Sequence, residues 1–360
     1  MEVQPQAVRL EKSLIHPRQL LCCRFDADGT RLFAAGHDGR LYRQTLADGQ
    51  LTGVDAHRGW VEVMLASPNR LLLYTADSWG QVHAWRATDD PLEPAWTIEK
   101  ACATGLRSAA LSRDGKLLAT CGNEPVVRVF SAGNGKLIHE LRGHEQPVFS
   151  VAFHPDGERL VSGDLHGVVR DWDIINGQCA RTLEARSLFK VFEHYRQGGV
   201  RAMTFDPEGK LLYCGGFQGT NANQAQGAPM VIPIDWSTGK ALPELTPATA
   251  FNGPLSDLAF HPAGFLVGAG SSEAGGMLWF WKPGEGKAVH SISYKTSLRR
   301  FDFDPSGQRL AVTAFGDSNG QRGGNGRRLN ERQQYVGFNG EAVLFTWQPA
   351  VPMNPSPQKS

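Results

Sequence analysis

LRGHEQPVFSVAFHPDGERLVSGDLHGVVRDWDIINGQC, residues 141–179, decides the fold. Its middle, SVAFHPDGERLVSGD (150–164), holds two apolar runs joined by a tight polar turn. Alternating apolar residues before the turn suit a half-buried strand. In the Asp-Pro-x-Gly form of this turn, Asp stands first, Pro where φ is already near its fixed value, and Gly where a positive φ is needed. The stretch ends in GVVRDWDIINGQC (167–179), a strand, a Gly-containing turn and another strand. Four antiparallel strands, a to d, are therefore expected.

The phrase recurs along the whole chain. Strands a and b reappear as CCRFDADGTRLFAAG, SAALSRDGKLLATCG, AMTFDPEGKLLYCGG, DLAFHPAGFLVGAG and RFDFDPSGQRLAVTA, with a shortened copy, VMLASPNRLLLYTAD, that lacks the glycine. From Gly29 to Gly115 is two periods of 43, and Gly157, Gly209, Gly264 and Gly307 follow at gaps of 42, 52, 55 and 43. A period in the low forties is that of four-stranded propeller blades. Strand c carries a large residue at one slot, read as Trp85, Phe130, Trp172, Trp281 and Trp347, with Gln44 and Ile234 in the first and fifth copies. One aromatic per blade suits packing between blades. His154 and His261 fill the slot of the turn aspartates Asp26, Asp206 and Asp304 and are read as turn residues.

These residues resemble the WD-repeat propeller family. The fourth copy carries the Gly-His as Gly143-His144, the strand-b serine as Ser162 and the Trp-Asp as Trp172-Asp173. His16 and His57 match the histidine by position. The b–c turn slot of the aspartate holds Asp38, Trp79, Glu124 and His166 in the first four copies, so the His-Ser-Asp-Trp network is expected to be complete nowhere. The resemblance implies an all-β, seven-bladed propeller and a non-enzymatic, protein-binding scaffold, with His144, Ser162, Trp172, Asp173, Trp85, Trp281 and Trp347 structural.

The expected blades are 20–54, 60–100, 106–142, 148–184, 199–246, 255–293 and 298–347, followed by a disordered Pro-rich tail, 348–360. The last copy has no strand d of its own. AVRLEK (7–12) aligns with KLIHEL (136–141), so the N-terminal segment is expected to supply it and close the ring.

Departures from the period mark candidate function. Residues 217–230, 271–276 and about 315–340 lengthen b–c connections, and 184–199 lengthen a d–a connection. All four fall on one face of a propeller, on neighbouring blades. The candidate partner-binding residues there are Phe189, Phe192, His194, Tyr195, Gln218, Asn221, Asn223, Arg322, Arg327, Arg328, Arg332 and Tyr335, with Trp60 and Trp79 on the second blade. Arginine takes carboxylate or phosphate bidentately, and exposed tryptophan anchors interfaces. Two alternatives stand beside a protein partner: an enzyme or small-ligand binder using the central channel mouth, and nucleic-acid binding through the Arg-rich 316–332 loop.

The totals narrow the field. Net charge is +1, so no global field draws the chain to nucleic acid or anionic lipid. The six cysteines form no C-x-x-C pair and read as buried free thiols of a cytoplasmic protein. No P-loop, G-x-S-x-G or H-E-x-x-H occurs. Asp302 with Asp304 is a weak acid/base pair, and His166 with Asp164, or His37 with Asp38, supplies too few metal ligands. No cofactor, metal or membrane span is expected, and the chain is expected to be monomeric on its own.

Overall fold

In the computed structural model, strand a of each blade packs on strand a of the next, and the seventh returns to the first, so the contacts close a ring. The structure describes residues 3–192, 195–219, 227–272, 274–315, 328–329, 335–336 and 339–347; for Phe192, Tyr195, Arg328, Leu329, Tyr335 and Val336 it describes the backbone alone. The blades are antiparallel sheets over 20–55, 61–98, 106–142, 148–184, 202–235, 255–294 and 297–347. The expected seven-bladed propeller is the fold observed.

The N-terminal strand Val8–His16 pairs antiparallel with Gly340–Trp347 and stands fourth in the last sheet. It closes the ring as expected and runs four residues beyond the expected segment. A bulge at Leu10/Lys12 turns Leu14 inward. Val8 then joins the cluster between blades 6 and 7, and Leu14 the cluster between blades 7 and 1.

Seven apolar clusters hold the ring, each drawn mainly from two adjacent blades. The strand-c residues Trp85, Phe130, Trp172, Ile234 and Trp281 each sit in one of them, against the preceding blade. Fully burying one such side chain contributes roughly 1.5–3 kcal/mol. In the last blade this slot belongs to Phe345, which faces Leu310 as Trp172 faces Leu160. Trp347 stands two residues later, buried against His261 at 4.7 Å between ring centres. The alternation of the strand keeps both on one face, which is why their order is ambiguous in sequence.

Blade 5 has only three regular strands. Its fourth place is taken by isolated bridges, Val231 to Leu245 and Ile234 to Ala241. Pro243 and Pro247 lie in this segment, and proline brings no N–H to a ladder.

The a–b turns also join the blades. His261 donates from Nε2 to the carbonyl of Gly307 in the next blade at 2.7 Å and accepts the Ala263 N–H at Nδ1 at 3.0 Å. Acceptance at Nδ1 requires the neutral ring, and burial lowers its pKa in the same direction. In the shortened copy, Arg70 takes the glycine slot with a positive φ of 54°. Its guanidinium grips Asp302 at 2.6 and 3.2 Å and the carbonyls of Phe25 and Phe303 at 2.9 Å, tying blade 2 to blades 1 and 7. Asp302 is thus the partner of an arginine, and Asp304 holds its own turn through the N–H groups of Gln308 and Arg309. Both carboxylates are engaged in holding the fold.

Candidate interaction face

Blade 4 contains a relay that resembles a hydrolase triad. Trp172 Nε1 donates to Ser162 Oγ at 2.7 Å, Ser162 lies 2.7 Å from His144 Nε2, and His144 Nδ1 lies 2.9 Å from Asp164 Oδ2. With tryptophan able only to donate, the serine hydroxyl gives its proton to His144 Nε2, and Nδ1–H gives to the carboxylate. The second carboxylate oxygen accepts the N–H groups of His166 and Val168. His144, Ser162 and Asp164 are all buried, so no substrate reaches the hydroxyl. The relay knits strands b and c to the d–a connection.

The network is therefore complete, contrary to the sequence expectation. Its aspartate is Asp164, the last residue of strand b, two positions before the turn slot of His166. The same spacing finds a second network in blade 2. Trp85 donates to Thr75 Oγ1 at 2.8 Å, His57 Nε2 meets the same hydroxyl at 2.7 Å, and His57 Nδ1 faces Asp77 at 3.5 Å.

The d–a and b–c connections rise around one mouth of the channel. Trp79 tops the b–c turn of blade 2 and is 66% exposed. Trp60 leans on His37 across the boundary of blades 1 and 2, at 4.7 Å between rings, and keeps 42% exposure. His37 and His166 are thus ring-packing residues, His166 lying 4.3 Å from Phe189.

The d–a insertion before blade 5 is a structured hairpin. A short 3-10 turn, Arg186–Leu188, anchors it with Leu188 fully buried. Strands Phe189–Phe192 and Tyr195–Gly198 follow, with Phe189 opposite Gly198 and Phe192 opposite Tyr195. Val191 is 62% exposed on it. FKVFEHYRQG has no turn glycine at its centre, so nothing in the repeat pattern marks it as a hairpin.

The insertion in blade 5 is built differently. Strands Leu211–Gly219 and Gly227–Asp235 run on past the blade, paired as far as Gly219 with Gly227, and carry the exposed Gln218 above the rim. In blade 6, strands Leu266–Ser272 and Gly275–Trp281 lengthen in the same way. Beside them lies a groove of about 630 Å³, lined by Phe251, Pro254, Ala274, Met277 and Tyr294 among others. In blade 7 the insertion carries a two-residue pairing, Arg328 with Val336 and Leu329 with Tyr335. His194, Asn221, Asn223, Arg322, Arg327 and Arg332, and the tail 348–360, lie outside the described residues.

Other sequence expectations can be placed. Among the described residues no group of three or more His, Cys, Asp and Glu side chains converges as metal ligands. The six cysteines are free, five of them buried and Cys179 partly so. Burial pushes the Cys22 thiol up to about 12, so it is no nucleophile. Among the described residues no helix is long and apolar enough to cross a membrane.

Comparison with known proteins bears on parts of the ring. The family model described as "WD domain, G-beta repeat" matches residues 10–42, 135–173 and 186–220. The rat protein named apoptotic protease-activating factor 1 is 25% identical over 202 residues, 56% of this chain and 16% of that one. Bovine pre-mRNA-processing factor 19 is 24% identical over 189 residues, 50% of this chain and 33% of its own. Pre-mRNA-processing factor 19 homolog 2 of Arabidopsis thaliana is 23% identical over 251 residues, 69% of this chain and 43% of its own. The chain spans less than half the length of these relatives.

Proposed function

The chain belongs to the WD-repeat family of propellers, and on that footing we propose that it is a non-enzymatic scaffold that binds a protein partner on the face of its d–a and b–c loops, mainly over blades 5 to 7. The observation that carries this reading is the placement of the departures from the repeat. The hairpin at 189–198, the prolonged strands of blades 5 and 6 and the groove over blade 6 all stand on that face. The a–b turns of the opposite face are short in all seven blades, five residues between strands.

The groove supplies an apolar floor, and the exposed Trp79, Trp60 and Val191 supply the kind of surface that anchors partners. Phe192, His194, Tyr195, Asn221, Asn223 and the arginines of 316–332 belong to the same proposed surface by their place in the chain. Catalysis has no support in the buried relays, whose hydroxyls face inward.

The reading is tested by paired capture. Ala274→Trp blocks the groove rim, and a chain shortened between Phe315 and Gly340 removes the last insertion. Ile175→Asp alters a residue 79% exposed on a c–d turn of the opposite face. Partners held by the wild type should be lost with the first two and kept with the third. The reverse pattern would contradict the proposed face.

A further inference from the structure

The first turn of every strand a places one side chain at the channel mouth. In six blades that residue is the extra one of a β-bulge: Leu21, Glu62, Arg107, Phe149, Ser256 and Arg299, each just after a buried aliphatic that pairs with strand b. Arg201 holds the same place in blade 5, following the buried Val200. A bulge re-aims its side chain out of the sheet, here toward the axis. In blade 7 the bulge holds two residues, so Arg300 joins Arg299. All eight line one cavity of about 310 Å³ on the d–a/b–c side.

Four of the eight are arginines and one is a carboxylate. Arg300 faces Asp257 at 3.5 Å, whereas Arg107, Arg201 and Arg299 have no carboxylate within ion-pair distance among the described residues. Arg107 donates from Nε to Asn123 Oδ1 at 2.8 Å, and all three guanidiniums rest on aromatic faces. Arg107 and Arg201 flank Phe149 at 5.7 and 5.8 Å, Arg201 also covers Phe217 at 5.1 Å, and Arg299 covers Phe315 at 4.8 Å. Arg201 Nε is buried without a hydrogen-bond partner. Burial, and then the charge of Arg107, pulls the Arg201 pKa down to about 10. Cations crowded in this way are stabilised by an anion among them.

The geometry points to an anion-binding site at this mouth, which takes a compact oxyanion of the phosphate class through Arg107, Arg201 and Arg299. Planar guanidiniums held on aromatic faces present paired N–H donors, the geometry that suits phosphate. The cavity lies at the small end of ligand pockets and admits a phosphate group with a short attachment, not a duplex. The oxyanion arrives free or on a partner's side chain; Pro254 and Ser271 border both this cavity and the blade 6 groove, but Arg107, Arg201 and Arg299 line only the former.

Isothermal titration of the full chain uses inorganic pyrophosphate as one probe, and a serine peptide with its phosphoserine twin as the other. Saturable binding that weakens with salt is expected, with Arg201→Gln and Arg299→Gln each losing about tenfold or more. Pyrophosphate binding identifies a free anion; binding of the phosphoserine peptide alone identifies a partner's side chain. Arg142→Gln, on an outer strand, should change nothing. Glu62→Gln removes the one carboxylate among the described residues of the cavity and should tighten binding by about twofold or more, which keeps the test alive if an arginine variant misfolds. Failure of both probes, affinity indifferent to all the arginine changes, or a Glu62→Gln chain that binds no tighter would overturn the site.

Discussion

Deleting residues 1–16 should sharply destabilise the whole ring, although they stand at one end of the chain. The deleted strand makes eight residue pairings with Gly340–Trp347. It buries Val8 in one inter-blade cluster and Leu14 in the next, at 1% and 8% exposure. Two aliphatic side chains at roughly 1.5–3 kcal/mol each give about 3–6 kcal/mol. The truncation also leaves Gly340–Trp347 as an open sheet edge. Against a net stability of order 5–15 kcal/mol, that is a large share. A graded version separates packing from strand pairing. Leu14→Ala should lose about 2–4 kcal/mol, while Leu10→Ala, at a position 57% exposed, should lose less than about 0.5 kcal/mol. Urea titration followed by tryptophan fluorescence reads all three. An unchanged midpoint in the truncate, or equal effects at Leu10 and Leu14, would refute closure by this strand.

Three further outcomes follow from the packing. Arg70→Gly relieves a left-handed backbone but leaves Asp302, only 13% exposed, without its bidentate partner; a net loss of about 1–2 kcal/mol is expected in urea titration. Ser162→Ala orphans Trp172 Nε1 and His144 Nε2 together and should lower stability by about 1–3 kcal/mol, measured the same way. Burial lowers the pKa of His16 and of His83 from 6.5 to about 4, so the unfolded chain binds more protons between those values. Their contribution is complete above pH 6.5 and is lost as pH falls toward 4. The loss at the acid end should reach roughly 2–3 kcal/mol for each, and a His16→Gln/His83→Gln chain should show a flatter pH profile of the urea midpoint.

The repeat is legible in sequence because each blade restates one local problem. A turn such as His154-Pro155-Asp156-Gly157 specifies its own geometry, and the alternation beside it specifies which face is buried. Closure by the N-terminal strand is legible for the same reason, as a missing strand d and a matching segment. What escapes is whatever depends on register between distant segments. Asp164 and Asp77 are missed as network members because they end strand b, while the turn slot two residues on draws the eye. Phe345 and Trp347 share a face, and only pairing with Leu310 tells which holds the inter-blade slot. The hairpin at 189–198 lacks a turn glycine. The ring of arginines is the least visible feature, because Arg107, Arg201 and Arg299 lie far apart in the chain and only their shared place at the start of strand a brings them to one mouth.

The most direct test of the proposed function is site-resolved cross-linking between the chain and any captured partner, with the linker placed in turn at Val191, Gln218, Ala274 and Ile175. Cross-links from the first three positions and none from Ile175 are expected. Cross-links from Ile175 alone would place the partner on the opposite face and contradict the account.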